Sequence, residues 1–136
     1  MVDNLTREQR SHCMSRVKGK DTTLEVQVRS ELHKRGLRFR KHVRTLPGKP
    51  DVVFPRAKVV VFVDGDFWHG HRLPSWEHKL SPFWRTKISM TRKRDARNFR
   101  MLRKMGWNVV RVWQHQLEAE FDLSVDRIVS AVCAKN

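Results

Sequence analysis

The sequence predicts an α/β fold in which a mixed sheet is flanked by helices. Two short runs rich in β-branched residues, Asp51–Phe54 and Lys58–Val63, are separated only by Pro55, Arg56 and Ala57 and read as a hairpin. A third apolar run, Asn108–Trp113, follows much later. Between and around these runs, apolar residues recur at helical spacing.

Residues 6–17 read as a short basic helix. Asp21, Thr22 and Thr23 offer a cap to a second helix, in which Leu24, Val28 and Leu32 form one face and Gly36 is the stop. Arg38 to Val43 alternates as an exposed strand does, and the stretch from Pro47 to Pro50 signals a turn. The Lys58–Val63 run is almost wholly β-branched or aromatic, as suits a strand buried on both faces. Residues 64–80 read as a loop. Pro82 opens a long basic helix that Gly106 closes, Asn108–Trp113 is a strand, and a last helix covers about 123–134. The predicted order is α-α-β-β-β-α-β-α, expected as a single domain over 1–136.

With 29 Lys and Arg against 14 Asp and Glu, the formal charge is +15. Charge so one-sided repels itself unless a polyanion takes it up, and nucleic acid is the leading partner. An anionic membrane surface comes second and is not expected as partner, since no apolar run approaches the ~20 residues of a spanning helix. The N-terminus has no secretory core. Cys13 and Cys133 stand at opposite ends with no metal-type spacing, as reduced thiols of a cytoplasmic protein would.

The chemistry concentrates around the hairpin. Asp51 opens an apolar strand, where an acid is costly unless paired or bound to a metal; the plainer alternative is an acid capping the turn. Asp64 and Asp66 end the second strand, so pairing would bring acids together. Clustered carboxylates repel unless a cation neutralises them, and magnesium takes one or two carboxylates with water and phosphate. That is the core of metal-assisted phosphodiester hydrolysis. His69, just beyond, could take a proton from an attacking water, or be a zinc ligand or a surface histidine.

Phe67 and Trp68 are either core or wedges; apolar side chains pushed between base steps unstack DNA, and a mismatched base costs least to disturb. Trp84, Ile88, Thr91, Asp95, Phe99 and Leu102 form one helical stripe, so Asp95 is expected buried and paired, to a histidine of the site or to an arginine from a neighbouring turn. Glu25 sits at the edge of the earlier stripe and is either a site acid or a first-turn acid favoured by the helix dipole. The long helix is dense in Arg and Lys, including Arg92, Lys93 and Arg94, which suits phosphate contact.

The segments GKPD at 48–51, VVVFVDGDFWHGH at 59–71, FW at 83–84, RKRDARN at 92–98 and GWNVVRVW at 106–113 resemble the very short patch repair (Vsr) endonucleases, from about residue 4 to 118. The resemblance implies a restriction-endonuclease-like PD-(D/E)xK core. It implies nicking of one strand beside a T·G mismatch in mismatched duplex DNA, with Mg2+ as cofactor. By resemblance, Asp51 bridges the metal, the Val63 carbonyl is a further ligand, and Glu25 holds waters around it. His69 is the general base, and Asp95 fixes it. Phe67, Trp68 and Trp84 wedge beside the mismatch, and an arm over residues 1–20 crosses the minor groove. A monomer working alongside other repair proteins is expected.

Two departures stand out. The family pattern has a threonine then a histidine where this chain has Val63 and Asp64; a carbonyl role survives the first change, whereas Asp64 could become an extra metal ligand. Many members bind structural zinc through three cysteines and a histidine. The corresponding positions here are Asp66, His71, Leu73 and His115, with no cysteine. A structural zinc is therefore not expected, although Asp66, His71 and His115 could make a weaker site. Packing by Leu73, Pro74, Trp76 and Pro82 is the expected alternative. Two rival readings use the same residues: a nuclease of defence or recombination indifferent to mismatches, and a non-catalytic basic DNA-binding protein.

Overall fold

The structure, a computed structural model, describes residues 23–134. The expected helix over 6–17, the arm over 1–20 and the cap at Asp21 and Thr22 lie outside those residues. The described elements are α1 (Thr23–Lys34), β1 (Val52–Phe54), β2 (Val59–Asp64), α2 (Leu73–Trp76), a 3-10 turn (Glu77–Lys79), α3 (Pro82–Lys104), β3 (Asn108–Trp113), α4 (Gln114–Ala119) and α5 (Phe121–Cys133). None of these helices is long and apolar enough to cross a membrane.

The three strands form one mixed sheet in the order β1-β2-β3. β1 and β2 are the expected antiparallel hairpin, Val52 opposite Val61, and β3 runs parallel to β2, Val61 opposite Val110. Side chains alternate across a strand, so β2 presents two faces. Val59, Val61 and Val63 pack with Val28 and Leu32 of α1 and Val125 and Ile128 of α5. Val60 and Phe62 pack with Phe99 and Leu102 of α3. The sheet is thus covered on both sides, and β2 is buried on both faces as expected. Odd positions face α1 and α5; even positions, Asp64 among them, face α3.

Three expectations are corrected. Residues 38–43 form no strand; Arg40 makes a single bridge to Val53. His42 has a φ of 57, which breaks the extended path. Residues 64–80 contain α2 and the 3-10 turn rather than loop alone. Finally, α4 precedes the last helix, which starts at Phe121 rather than 123. As expected, α3 starts at Pro82, with the Ser81 hydroxyl accepting from the Trp84 N–H.

Candidate active site

Asp51 stands one residue before β1, and Asp64 is the last residue of β2. Antiparallel pairing puts both at the same end of the hairpin. The Asp51 N–H donates to the Val61 carbonyl at 2.9 Å, and its Oδ2 accepts from the Val63 N–H at 2.6 Å. Glu25, in the first turn of α1, is 5% exposed, with Arg29 at 3.6 Å from its carboxylate. Burial, then the charge of Glu25, pushes the Asp51 carboxyl up to about 8, against the Val63 hydrogen bond that pulls it down. Asp64 adds to the upward push. Carboxylates so crowded and desolvated are the donor set of a hard divalent cation, which relieves both repulsion and burial. The residues fit such an ion.

On the α3 side of the sheet lies a second cluster. His69 follows β2 in a loop that closes on itself: its N–H donates to the Gly65 carbonyl at 3.2 Å, and the Gly70 N–H to the Phe67 carbonyl at 3.1 Å. Gly70 has a φ of +66, and a Cβ there would lie 2.7 Å from Arg92 Cδ and 2.9 Å from Ile88 Cγ2. Only a glycine lets this loop sit so close to α3 in that backbone conformation. The approach brings His69 Nδ1 to 2.6 Å from Asp95 Oδ2 and Nε2 to 3.4 Å from Asp64 Oδ1. Among the described residues, Asp64, His69 and Asp95 are a group of three whose ligand atoms lie within 4.8 Å of one another.

Sequence reasoning missed Arg111. It projects from β3 onto the α3 side, where its Nε donates to Asp64 Oδ2 at 2.7 Å and its Nη2 to Asp95 Oδ2 at 2.8 Å. The guanidinium lies over the Trp113 ring at 4.0 Å and the Phe99 ring at 5.0 Å. Asp95 therefore has the histidine weighed for it and also an arginine, which comes from β3 and not from a neighbouring turn of α3. Asp64, a possible extra metal ligand by its sequence position, is held by Arg111 and His69. Burial pushes its carboxyl up, while His69 and Arg111 pull it down.

Phe67, Trp68 and Trp84 are brought together, with ring centroids 5.8–5.9 Å apart and edge-to-face tilts. Each is part-buried, and Phe83, 5.2 Å from Trp84, is 64% exposed. Lys87 Nζ lies within 6 Å of the rings of Trp68, Phe83 and Trp84. The cluster rests on a small core of Leu73, Leu80 and Ile88, to which Trp76 also packs. Packing by Leu73 and Trp76 was expected. Arg92, Lys93 and Arg94 are exposed on α3.

Asp66, His71 and His115 converge only in part. Asp66 Oδ1 lies 2.9 Å from His115 Nδ1, and the His71 ring centroid is 4.3 Å from that of His115. Burial and His115 push the His71 imidazole down. A cavity of about 470 Å³ opens beside them, lined by His69, His71 and the arginines Arg72, Arg92, Arg100, Arg103 and Arg111.

A mixed sheet carrying acids at one end, with a histidine–aspartate pair beside an arginine-lined cavity, has the groups that hydrolysis of a phosphodiester requires. The family model described as DNA mismatch endonuclease Vsr matches residues 2–75. A type II nicking enzyme of Xanthomonas oryzae is 44% identical over 119 residues, 86% of this chain and 88% of the relative. A type II nicking enzyme of Neisseria meningitidis serogroup C is 36% identical over 137 residues, covering 96% of this chain and 90% of the relative. The DNA mismatch endonuclease Vsr of Escherichia coli is 31% identical over 141 residues, covering 99% and 90%. The chain belongs to the Vsr family of DNA mismatch endonucleases and is a DNA endonuclease.

Proposed function

We propose that this protein nicks one strand of duplex DNA beside a T·G-type mismatch by Mg2+-dependent hydrolysis of a phosphodiester bond. The observation that carries the reading is that Asp51 and the His69–Asp95 pair lie at the same end of the hairpin, with Asp64 between them, 3.4 Å from His69 and close enough for its charge to act on Asp51. Asp51 and the Val63 carbonyl would hold magnesium, with Glu25 behind the surrounding water. When bound, the ion stabilises negative charge on the phosphate and on the leaving oxygen.

The remaining chemistry falls to the protein. Asp95 accepts the Nδ1–H of His69 and so fixes the tautomer whose Nε2 is free to take a proton from the attacking water. Asp64 Oδ1, 3.4 Å from Nε2, then faces the imidazolium that forms. Phe67, Trp68 and Trp84 offer an aromatic edge to enter a base step. A mismatched step is cheaper to open, so the wedge selects it without reading every base. Arg92, Lys93 and Arg94 hold the backbone by phosphate contact, which positions the duplex. The sheet between α1, α5 and α3 supports a PD-(D/E)xK-type core. We take the protein to act as a cytoplasmic monomer with one domain.

Asp51→Asn tests the reading. It should abolish nicking while DNA binding remains, because only the metal donor is lost. Magnesium-dependent nicking by that variant, at an undiminished rate, would remove Asp51 from the mechanism.

A further inference from the structure

Asp64, His69 and Asp95 present two carboxylates and an imidazole within reach of one ion. That donor mixture suits Zn2+, Co2+ or Ni2+ well. An ion there would take a lone pair of His69, and a ligated nitrogen cannot accept a proton from water. A site that uses His69 as a base must therefore keep transition metals away from it.

The occupant that does so is on the protein. Arg111 reaches Asp64 Oδ2 through Nε at 2.7 Å and Asp95 Oδ2 through Nη2 at 2.8 Å. A guanidinium stays protonated and carries its donors in a rigid fork, so one side chain serves both acids. Its place is fixed by the rings of Trp113 and Phe99, and only 24% of the side chain is exposed. Asp95 Oδ2 is doubly used, by Arg111 and by His69 Nδ1. A metal entering the cluster would have to displace the guanidinium or sit a few ångströms from its charge.

We propose that Arg111 is a positioning residue that acts as the resident cation of the Asp64–Asp95 pair, holding both carboxylates around His69 and excluding transition metals from its imidazole. This rests on the reading of His69 as the base. It also explains how Asp64 is accommodated in a buried place: its charge is matched from the neighbouring strand.

The test is a Co2+ titration of DNA-free protein, followed by NMR of the histidine ring protons. Asp51→Asn is the common background, so that Co2+ held at the proposed magnesium site does not reach His69. With Arg111 present the His69 resonances should show no strong paramagnetic shift. With Arg111→Met added they should shift, with Co2+ bound at least about tenfold more tightly than in the background. Adding His69→Ala as well should abolish the gained site, which separates it from any binding at His71 and His115. A folded Arg111→Met variant with unshifted His69 resonances would overturn the proposal, as would His69 shifting at the same Co2+ concentration with Arg111 present. Should Arg111→Met fail to fold, Asp64→Asn/Arg111→Met removes the surplus buried charge and keeps Asp95 beside His69. The His69 shift should appear there too, and its absence would equally overturn the proposal. Because the readout needs neither DNA nor turnover, failure here leaves the nicking mechanism standing, whereas normal nicking by His69→Ala would sink the reading of His69 as the base.

Discussion

His69 Nδ1 lies 2.6 Å from Asp95 Oδ2, and this contact ties the loop after β2 to the middle of α3. One carboxylate thereby decides which imidazole nitrogen is left to accept a proton. Asp95→Asn should lower single-turnover nicking by about 10²-fold or more, the range of general-base effects, with DNA affinity little changed. A rate within a factor of about two of wild type would show that the tautomer is set by something else.

The aromatic cluster makes a different prediction. Trp68→Ala removes one face of the wedge while Phe67 and Trp84 remain. If stacking at one base step is worth about 1–3 kcal/mol, cleavage of a mismatched duplex should fall by roughly tenfold to a hundredfold. Binding of a fully paired duplex depends mainly on phosphate contacts and should fall much less. Equal losses on both substrates, measured side by side, would assign Trp68 to the core.

Asp51 links stability to pH in an unusual sense. Its carboxyl is pushed from an ordinary 3.8 to about 8 by burial and by Glu25. Between those values the folded protein holds a proton that the unfolded chain releases, so stability falls as pH rises through this window. Asp51→Asn, which carries no charge, should therefore raise the melting temperature of metal-free protein more at pH 8 than at pH 5. Magnesium should stabilise the wild type chiefly at the higher pH, and EDTA should reverse it. A melting-temperature difference between variant and wild type that is flat with pH would mean that the carboxyl is ionised throughout.

Gly70 tests whether the loop must touch α3. Gly70→Ala would put a methyl group against Arg92 Cδ and the buried Ile88 at a positive φ. Overpacking of this kind costs about 1–3 kcal/mol, read as a lower melting temperature, and it should displace His69 and slow nicking. An unchanged melting temperature and rate would contradict the close packing of the loop.

Much of this was legible in the chain. The hairpin, α3 and β3 announced themselves because each has one uninterrupted pattern: β-branched runs for the strands, and the Trp84-to-Leu102 stripe for the helix. Three features were not. α4 has a single buried apolar residue, Leu117, so no stripe repeats to reveal it. Residues 38–43 alternate like a strand, but the positive φ at His42 limits pairing to Arg40. Arg111 is a lone charge in an apolar strand. Its signal was available, since Val109, Arg111 and Trp113 share one face and an arginine there calls for an acid. Which acid it meets depends on β2 and β3 lying parallel, a pairing that no local pattern encodes. The same parallel pairing makes Asp64 the partner of Arg111.

Strand-specific cleavage of end-labelled duplexes, one with a single T·G mismatch and one fully matched, decides between the readings that share these residues. With magnesium, a single nick beside the T of the mismatched duplex is predicted, with little cutting of the matched one and none in EDTA. Equal cutting of both duplexes, or intact binding with no cutting of either, would contradict a mismatch-directed nicking enzyme.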